Sequence, residues 1–443
     1  MWLMAENRFY PVVIVPGIGQ SKVVEKDAAG NTLRRVWPLD IDKNQLIDRM
    51  KAPFMKMVLF RRDAGFSDAA AETAHEMIGG LATMPNGDMA RNLEAVTYMY
   101  PLSECTDDEK RYIYKMAPVQ KLGSLIGEEN IFFFAFNSFA RPYAVAKELR
   151  AFVDMVKQRT GSDKVNFLPL SLGGAMFTAY LDEYGSDDVH RIVYFVPALQ
   201  GTVTVADVFE KNVDPSRADE LLGSLIGGSN ASAAKSVMGM MPAGVIPALT
   251  DKLLDVLIRD VLSGSGAMWA CLPPQRYEAL AAKYLSDAAH APLKAETDRY
   301  RAAQGSLRET LQALSEKGIG IYICCCYGRS LPGVLRSAPQ FSSDGVIDIG
   351  SASLGATAAA PGQKLDPSSL GENARLSPDG TLDASTGAFP DSTWYFRDQY
   401  HDSIAYNDTA LQVAMRALSD ESFTGVGSDP ALGQFNEKED NRG

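Results

Sequence analysis

The sequence predicts an α/β fold built on a mostly parallel central sheet, and three observations predict it. Short, continuously apolar runs such as Val12–Val15 have the character of strands buried on both faces. From about residue 130 to 196 the pattern runs strand, helix, strand, helix, strand, which places consecutive strands in one parallel sheet. Within that run a serine sits between a strand and a helix that opens with two glycines.

Taken in order, Tyr10 to Val15 is a strand stopped by Pro16 and Gly17. Lys22 to Trp37 then predicts two short strands around a turn holding Gly30 and Asn31. Residues 40–127 carry no usable period and are expected to form a peripheral insertion. Ile131 to Phe136 is a strand, and Pro142 to Arg159 is a helix with Val145, Leu149, Phe152, Val153 and Val156 on one face. Lys164 to Leu168 and Arg191 to Val196 are strands flanking a helix from Gly173 to Tyr184.

Residues 201–315 break the alternation and predict an inserted helical cap or lid. Inside it Leu249, Leu253, Leu254, Leu257, Ile258, Val261 and Leu262 form an apolar arc suited to packing on the core. The sheet resumes at Gly318 to Tyr327, a further strand covers Thr393 to Arg397, and a last helix runs near Asp408 to Leu418. The expected division is a first core segment over 1–200, the cap over 201–315, a second core segment over 316–424, and a flexible tail over 425–443.

The 443 residues are 46% apolar and 22% charged, the balance of a globular protein able to build a large core. With 43 Lys and Arg against 55 Asp and Glu the net charge is −12, which argues against nucleic acid or anionic lipid as electrostatic partners. No apolar run approaches the ~20 residues of a membrane helix. The N-terminal residues lack the pattern of a secretory signal, so the expected location is cytoplasmic. Five cysteines, three of them consecutive at 324–326, fit small buried hydrophobes rather than disulfides or a metal site. No cofactor or metal is expected.

The chemistry concentrates at Leu168-Pro-Leu-Ser-Leu-Gly-Gly. A strand, a sharp turn and a helix there expose Ser171 at the carboxyl edge of the sheet, with Pro169 in place of the first glycine of Gly-x-Ser-x-Gly. The competing role for Ser171 is an ordinary helix cap. Of four histidines, His401 follows the last predicted strand and is placed to act as base, whereas His75, His190 and His290 lie elsewhere. Two Asp-Gly segments could supply the acid: Asp379 is favoured, and Asp344 is the alternative. Oxyanion donors are expected from the backbone of Leu172 and of Ile18, flanked by Gly17 and Gly19. A dinucleotide loop is the weaker reading of Gly17-Ile-Gly, because Lys22 replaces the third glycine and a hairpin follows.

These segments resemble the lecithin:cholesterol acyltransferase family of α/β-hydrolases. The resemblance is carried, in order, by Val13-Ile-Val-Pro-Gly-Ile-Gly, Val36-Trp-Pro-Leu-Asp, Phe136-Asn-Ser-Phe-Ala-Arg-Pro, Leu168-Pro-Leu-Ser-Leu-Gly-Gly, Val196-Pro-Ala-Leu-Gln-Gly, Trp269 to Pro273, and Asp379-Gly-Thr-Leu. It implies an α/β-hydrolase fold with a cap after Gly201, attack on lipid acyl esters, and a triad of Ser171, Asp379 and His401 with Ile18 at the oxyanion. The chain departs from the family at Pro169-Leu170, at Asn137 and Ser138, and in lacking a lid disulfide. The expected activity is hydrolysis of a carboxylic, lipid-type ester, with transient apolar lipid contact through the cap. The alternatives are acyl transfer to an alcohol by the same triad, or a non-catalytic fold relative that binds a lipid or protein.

Overall fold

A computed structural model describes residues 10–40, 42–117, 119–217 and 239–437. The strands of its seven-stranded sheet and of a separate three-stranded sheet are β1 (Val12–Val15), β2 (Val23–Lys26), β3 (Thr32–Trp37), β4 (Leu93–Ala95), β5 (Ile131–Phe133), β6 (Val165–Pro169), β7 (Val189–Phe195), β8 (Gly320–Tyr327), β9 (Thr393–Arg397) and β10 (Phe435–Asn436). Seven of them form the main sheet in the order β10-β9-β8-β7-β6-β1-β5, and every pairing is parallel. The chain begins in β1, moves out to β5, and returns on the other side of β1 to lay down β6 through β10. That reversal leaves a crevice at the carboxyl ends of β1 and β6, where open α/β sheets place their ligands.

Alternation along the strands builds two cores, one on each face. In β8, Ile323, Cys325 and Tyr327 join the larger core, while Tyr322, Cys324 and Cys326 join the other. The consecutive cysteines therefore point to opposite faces, and all five are free and buried. The larger core takes the apolar faces of α5 (Pro142–Thr160) and α6 (Leu172–Tyr184). The second core takes α3 (Asp107–Met116), α4 (Gln120–Ile126) and the helix Asp408–Ser419.

Several segments differ from their sequence reading. The stretch read as aperiodic contains α1 (Lys43–Phe60) and α2 (Phe66–Ile78), as well as β4, α3 and α4. The hairpin β2-β3 forms as predicted, and β4 pairs with β2 as a third strand. The tail read as flexible contributes β10 to the edge of the sheet, parallel to β9. Its approach is fixed by Gln434, whose side-chain amide donates to the carbonyls of Pro390 and Thr393, and by Trp394 Nε1, which donates to the carbonyl of Leu432. These bonds join side-chain N–H donors to three backbone carbonyls, which hydrophobic periodicity does not register.

In the region read as a cap, the helix Val245–Leu257 runs into a wider turn at Ile258–Leu262. Leu254, Ile258, Val261 and Leu262 pack into the larger core and Leu249 into a small cluster with Met57 and Phe66. On its other side Asp251 and Asp255 pair with Lys211. No described helix is long and apolar enough to cross a membrane.

Candidate active site

The turn after β6 determines where Ser171 sits. The N–H of Leu170 donates to the carbonyl of Val15 on β1, and the N–H of Ser171 donates to that of Phe195 on β7. Held between both neighbours, Ser171 adopts φ +51 and ψ −118, which L-residues rarely take. The following helix can cross this closely only because Gly173 lacks a side chain: a Cβ there would collide with the Val15 carbonyl, and one on Gly174 would lie 2.9 Å from Pro197 Cβ. Pro169 occupies the last ladder position opposite Val15, so the first glycine of the usual motif is not needed for this turn.

Ser171 Oγ lies 2.9 Å from Nε2 of His401, and Nδ1 of His401 lies 2.6 Å from Oδ2 of Asp344. The loop after β9 thus carries its imidazole to the serine, and the loop after β8 carries a carboxylate to the imidazole. Asp344 is 1% exposed, and its second oxygen accepts from the backbone N–H groups of Val346 and Ile347 at 2.8 and 2.7 Å. Three donors converge on one carboxylate and leave it one orientation. Burial of the His401 ring works against its protonation. The charge and hydrogen bond of Asp344, with Asp402 assisting, outweigh burial and hold its pKa above the ordinary histidine value.

Asp379, favoured by the sequence for this position, lies elsewhere. Its carboxylate accepts from Ser377 Oγ at 2.5 Å and from Thr381 Oγ1 at 2.9 Å, and pairs with Arg397 Nε at 3.0 Å. Burial of this carboxyl is more than offset by those hydroxyls and the guanidinium, and its pKa falls. Both Asp-Gly segments make similar local turns, so only the path of the chain around them distinguishes the one facing His401. The other histidines have their own contacts: His75 with Asp260, His290 with Asp287, and His190 with Asn166 and stacked on Tyr10.

Beside Ser171, the loop Gly17-Ile18-Gly19-Gln20 follows β1. A Cβ at Gly17 would stand 2.9 Å from Ser171 Cβ, which shows how closely the loop passes this serine. Gln20, which the sequence reading did not single out, shapes this loop. Its Oε1 accepts from the N–H of Gly17 at 2.6 Å, and its Nε2 donates to the carbonyl of Met116 at 3.0 Å. The N–H of Gly17 is thereby occupied, while those of Ile18 and Leu172 have no acceptor among the described residues. The only sequence signal for Gln20 was its place directly after the Gly-Ile-Gly turn.

A cavity of about 280 Å³ opens at these groups. Its wall is mainly apolar, including Met116, Leu122, Leu170, Phe195, Leu411 and Ala414, with Ser171 and His401 at one side. No described residue of 201–315 lines it. The wall comes instead from the segment around α4 and from the helix Asp408–Ser419.

The all-parallel sheet with its reversal at β1, the strained serine between β6 and α6, and the histidine following β9 define an α/β-hydrolase fold. No protein-family model matches the chain, and no curated protein matches its sequence. Among solved structures it is similar to the Tle4-Tli4 complex, at 12% identity and a TM-score of 0.36, over 93% of this chain and 98% of that one. It is also similar to phospholipase PlaB from Legionella pneumophila, at 13% identity and a TM-score of 0.32, over 76% of this chain and 60% of that one. A lipase-esterase related protein from Clostridium acetobutylicum ATCC 824 aligns at 11% identity and a TM-score of 0.18, over 43% of this chain and 87% of that one. The fold assignment rests on the sheet order and the serine turn, independently of these likenesses.

Proposed function

We propose that this chain is a serine hydrolase that cleaves carboxylic esters, with lipid acyl esters as the preferred class. The observation that carries the reading is the relay from Ser171 Oγ through both nitrogens of His401 to the buried Asp344, at 2.9 and 2.6 Å. In this mechanism Ser171 attacks the acyl carbonyl while His401 Nε2 takes its proton. Asp344 holds the ring in the tautomer with Nε2 free and stabilises the imidazolium. The N–H groups of Ile18 and Leu172 receive the oxyanion. His401 then protonates the departing alcohol, and water activated by the same base releases the acid and frees Ser171.

The apolar wall of the cavity supports an acyl chain as its occupant, since a polar substrate would lose hydration there without replacement hydrogen bonds. The order of short motifs supports kinship with the lecithin:cholesterol acyltransferase family, with the acid moved from Asp379 to Asp344. Acyl transfer to an alcohol is the second reading, favoured by the limited exposure of the His401 side chain, 17%, which restricts water at the acyl-enzyme.

Labelling by a fluorophosphonate, compared between the wild type and Ser171→Ala, tests the nucleophile. p-Nitrophenyl esters of increasing chain length test the substrate class. Labelling that vanishes in Ser171→Ala and turnover that rises with acyl length are expected. An unlabelled, folded wild type overturns the hydrolase reading and leaves a lipid- or protein-binding role. Product analysis with added alcohol separates hydrolysis from transfer.

A further inference from the structure

The cavity beside Ser171 has two unlike ends. Its depth is apolar and closed, lined by the buried side chains of Leu122, Leu411 and Ala414. Its rim carries Ile18 at 44% exposure, Val346 at 39%, and the exposed side chain of Asp402. Ser171 and His401, both half-buried, stand between depth and rim.

Asp402 is the only side chain of fixed charge among the described residues that line this cavity. No described Lys or Arg lines it, and Asp402 has neither a hydrogen-bond nor an ion-pair partner among the described residues. Cations on the bordering elements are committed elsewhere. Lys121 of α4 pairs with Asp408, and Arg329 lies over the ring of Tyr400 at 3.3 Å while donating to the carbonyl of Asp398. Lys115, next to Met116, is exposed and does not line the cavity. The rim therefore presents an uncompensated negative charge between two apolar side chains, above a low-dielectric wall that screens it poorly.

We propose that Asp402 selects the alcohol half of the ester, favouring alcohols that carry a positive charge a few bonds from the ester oxygen. The inference rests on the hydrolase reading and narrows its substrate class. With the carbonyl oxygen at the N–H groups of Ile18 and Leu172 and the acyl chain in the apolar depth, the alcohol points to the rim and passes Asp402. An ammonium group there is attracted, and a phosphate or sulfonate is repelled. Ile18 and Val346 add apolar surface for the alkyl groups of a substituted ammonium ion, which a compact, strongly hydrated cation would not use. The preferred class is thus esters of amino alcohols and quaternary ammonium alcohols, and esters with an anionic group at that place are disfavoured.

The test compares esters of three alcohols that share a spacer: choline, its uncharged neohexyl isostere, and isethionate. Each carries the acyl chain turned over fastest in the p-nitrophenyl series. Values of kcat/KM are taken on the full chain, at low and high salt, at pH about 9, where His401 is neutral with or without the field of Asp402. The wild type is expected to prefer the choline ester over the isethionate ester by about tenfold or more at low salt, with the neutral ester between them and the spread shrinking in high salt. Asp402→Asn should reduce the spread to about twofold, mainly through KM, Asp402→Glu should keep it, and Asp402→Lys should reverse the order. Circular-dichroism melting checks that each variant is folded. Equal turnover of the three esters by the wild type, an order unchanged in Asp402→Asn, or no reversal in Asp402→Lys overturns the proposal and leaves the hydrolase reading standing. So does labelling of Ser171 without turnover of the choline ester. A folded wild type that turns over none of the three and is not labelled at Ser171 rejects both.

Discussion

His401 is tied to Asp344 twice: its Nδ1 lies 2.6 Å from the carboxylate, and its backbone N–H donates to the Asp344 carbonyl at 3.0 Å. Two loops 57 positions apart in sequence are thus fixed to each other through both main chain and side chain. The imidazole is oriented towards Ser171 before any substrate arrives, and this preorganisation supplies the clearest expectations for experiment.

Asp344→Asn should lower kcat by roughly 10³–10⁴-fold, because an amide can hold the ring in the wrong tautomer and cannot stabilise the imidazolium. Asp379→Asn should leave kcat within a few-fold and lower thermal stability, since it loosens the ties to Ser377, Thr381 and Arg397. Parallel ester kinetics and melting curves check both. The opposite pattern would return the acid to Asp379.

The pH dependence should carry the mark of the same pair. In the proposed mechanism His401 must be neutral to accept the serine proton, and its pKa is raised, so the acid limb of kcat/KM should lie above the ordinary ~6.5. Residual activity of Asp344→Asn should show that limb moved downward. For stability the sign is that of a raised base. The favourable ionisation is fully present below the unfolded pKa of ~6.5 and is lost as pH rises through the folded value. His401→Gln should therefore cost more melting temperature at pH about 5 than at pH about 9.

Gln20→Ala should release the N–H of Gly17 and the tie to Met116, loosening the loop proposed to receive the oxyanion without touching Ser171, His401 or Asp344. A fall in kcat of about 10- to 100-fold with little change in KM is expected, smaller than the ~10²–10³ for deleting a donor outright. Equal losses in KM and kcat/KM, with kcat unchanged, would place Gln20 in substrate binding instead.

Gly173→Ala should fold poorly or not at all, because its methyl group would collide with the Val15 carbonyl at the carboxyl end of β1. Gly17→Ala faces a milder conflict, with Ser171 Cβ at 2.9 Å, and should fold with reduced kcat. Soluble expression and melting separate the two outcomes.

Ala414→Leu, on the buried face of the helix Asp408–Ser419, should narrow the cavity and shift the preferred acyl chain to shorter lengths. The chain-length profile of p-nitrophenyl esters reads this directly. An unchanged profile in a folded variant would place the acyl chain outside this cavity.

Local physics alone made much of this protein legible. Apolar runs such as Val12–Val15 have one low-energy environment, the middle of a sheet, and a strand entering a turn followed by Gly173 and Gly174 leaves few places for Ser171. His401 was identifiable from its order along the chain, after the last helix-flanked strand and before the final helix. Those inferences need only residues that are neighbours in sequence. The choice between Asp344 and Asp379 could not be made that way, because two aspartates in similar turns differ only in where distant loops carry them. Gln20 escaped for the same reason: its role depends on the carbonyl of Met116, 96 positions away. The cavity's apolar wall, to which no periodic pattern pointed, comes from the segment around α4 and the helix Asp408–Ser419. Burial patterns say that a face is covered, and only the tertiary structure decides by what.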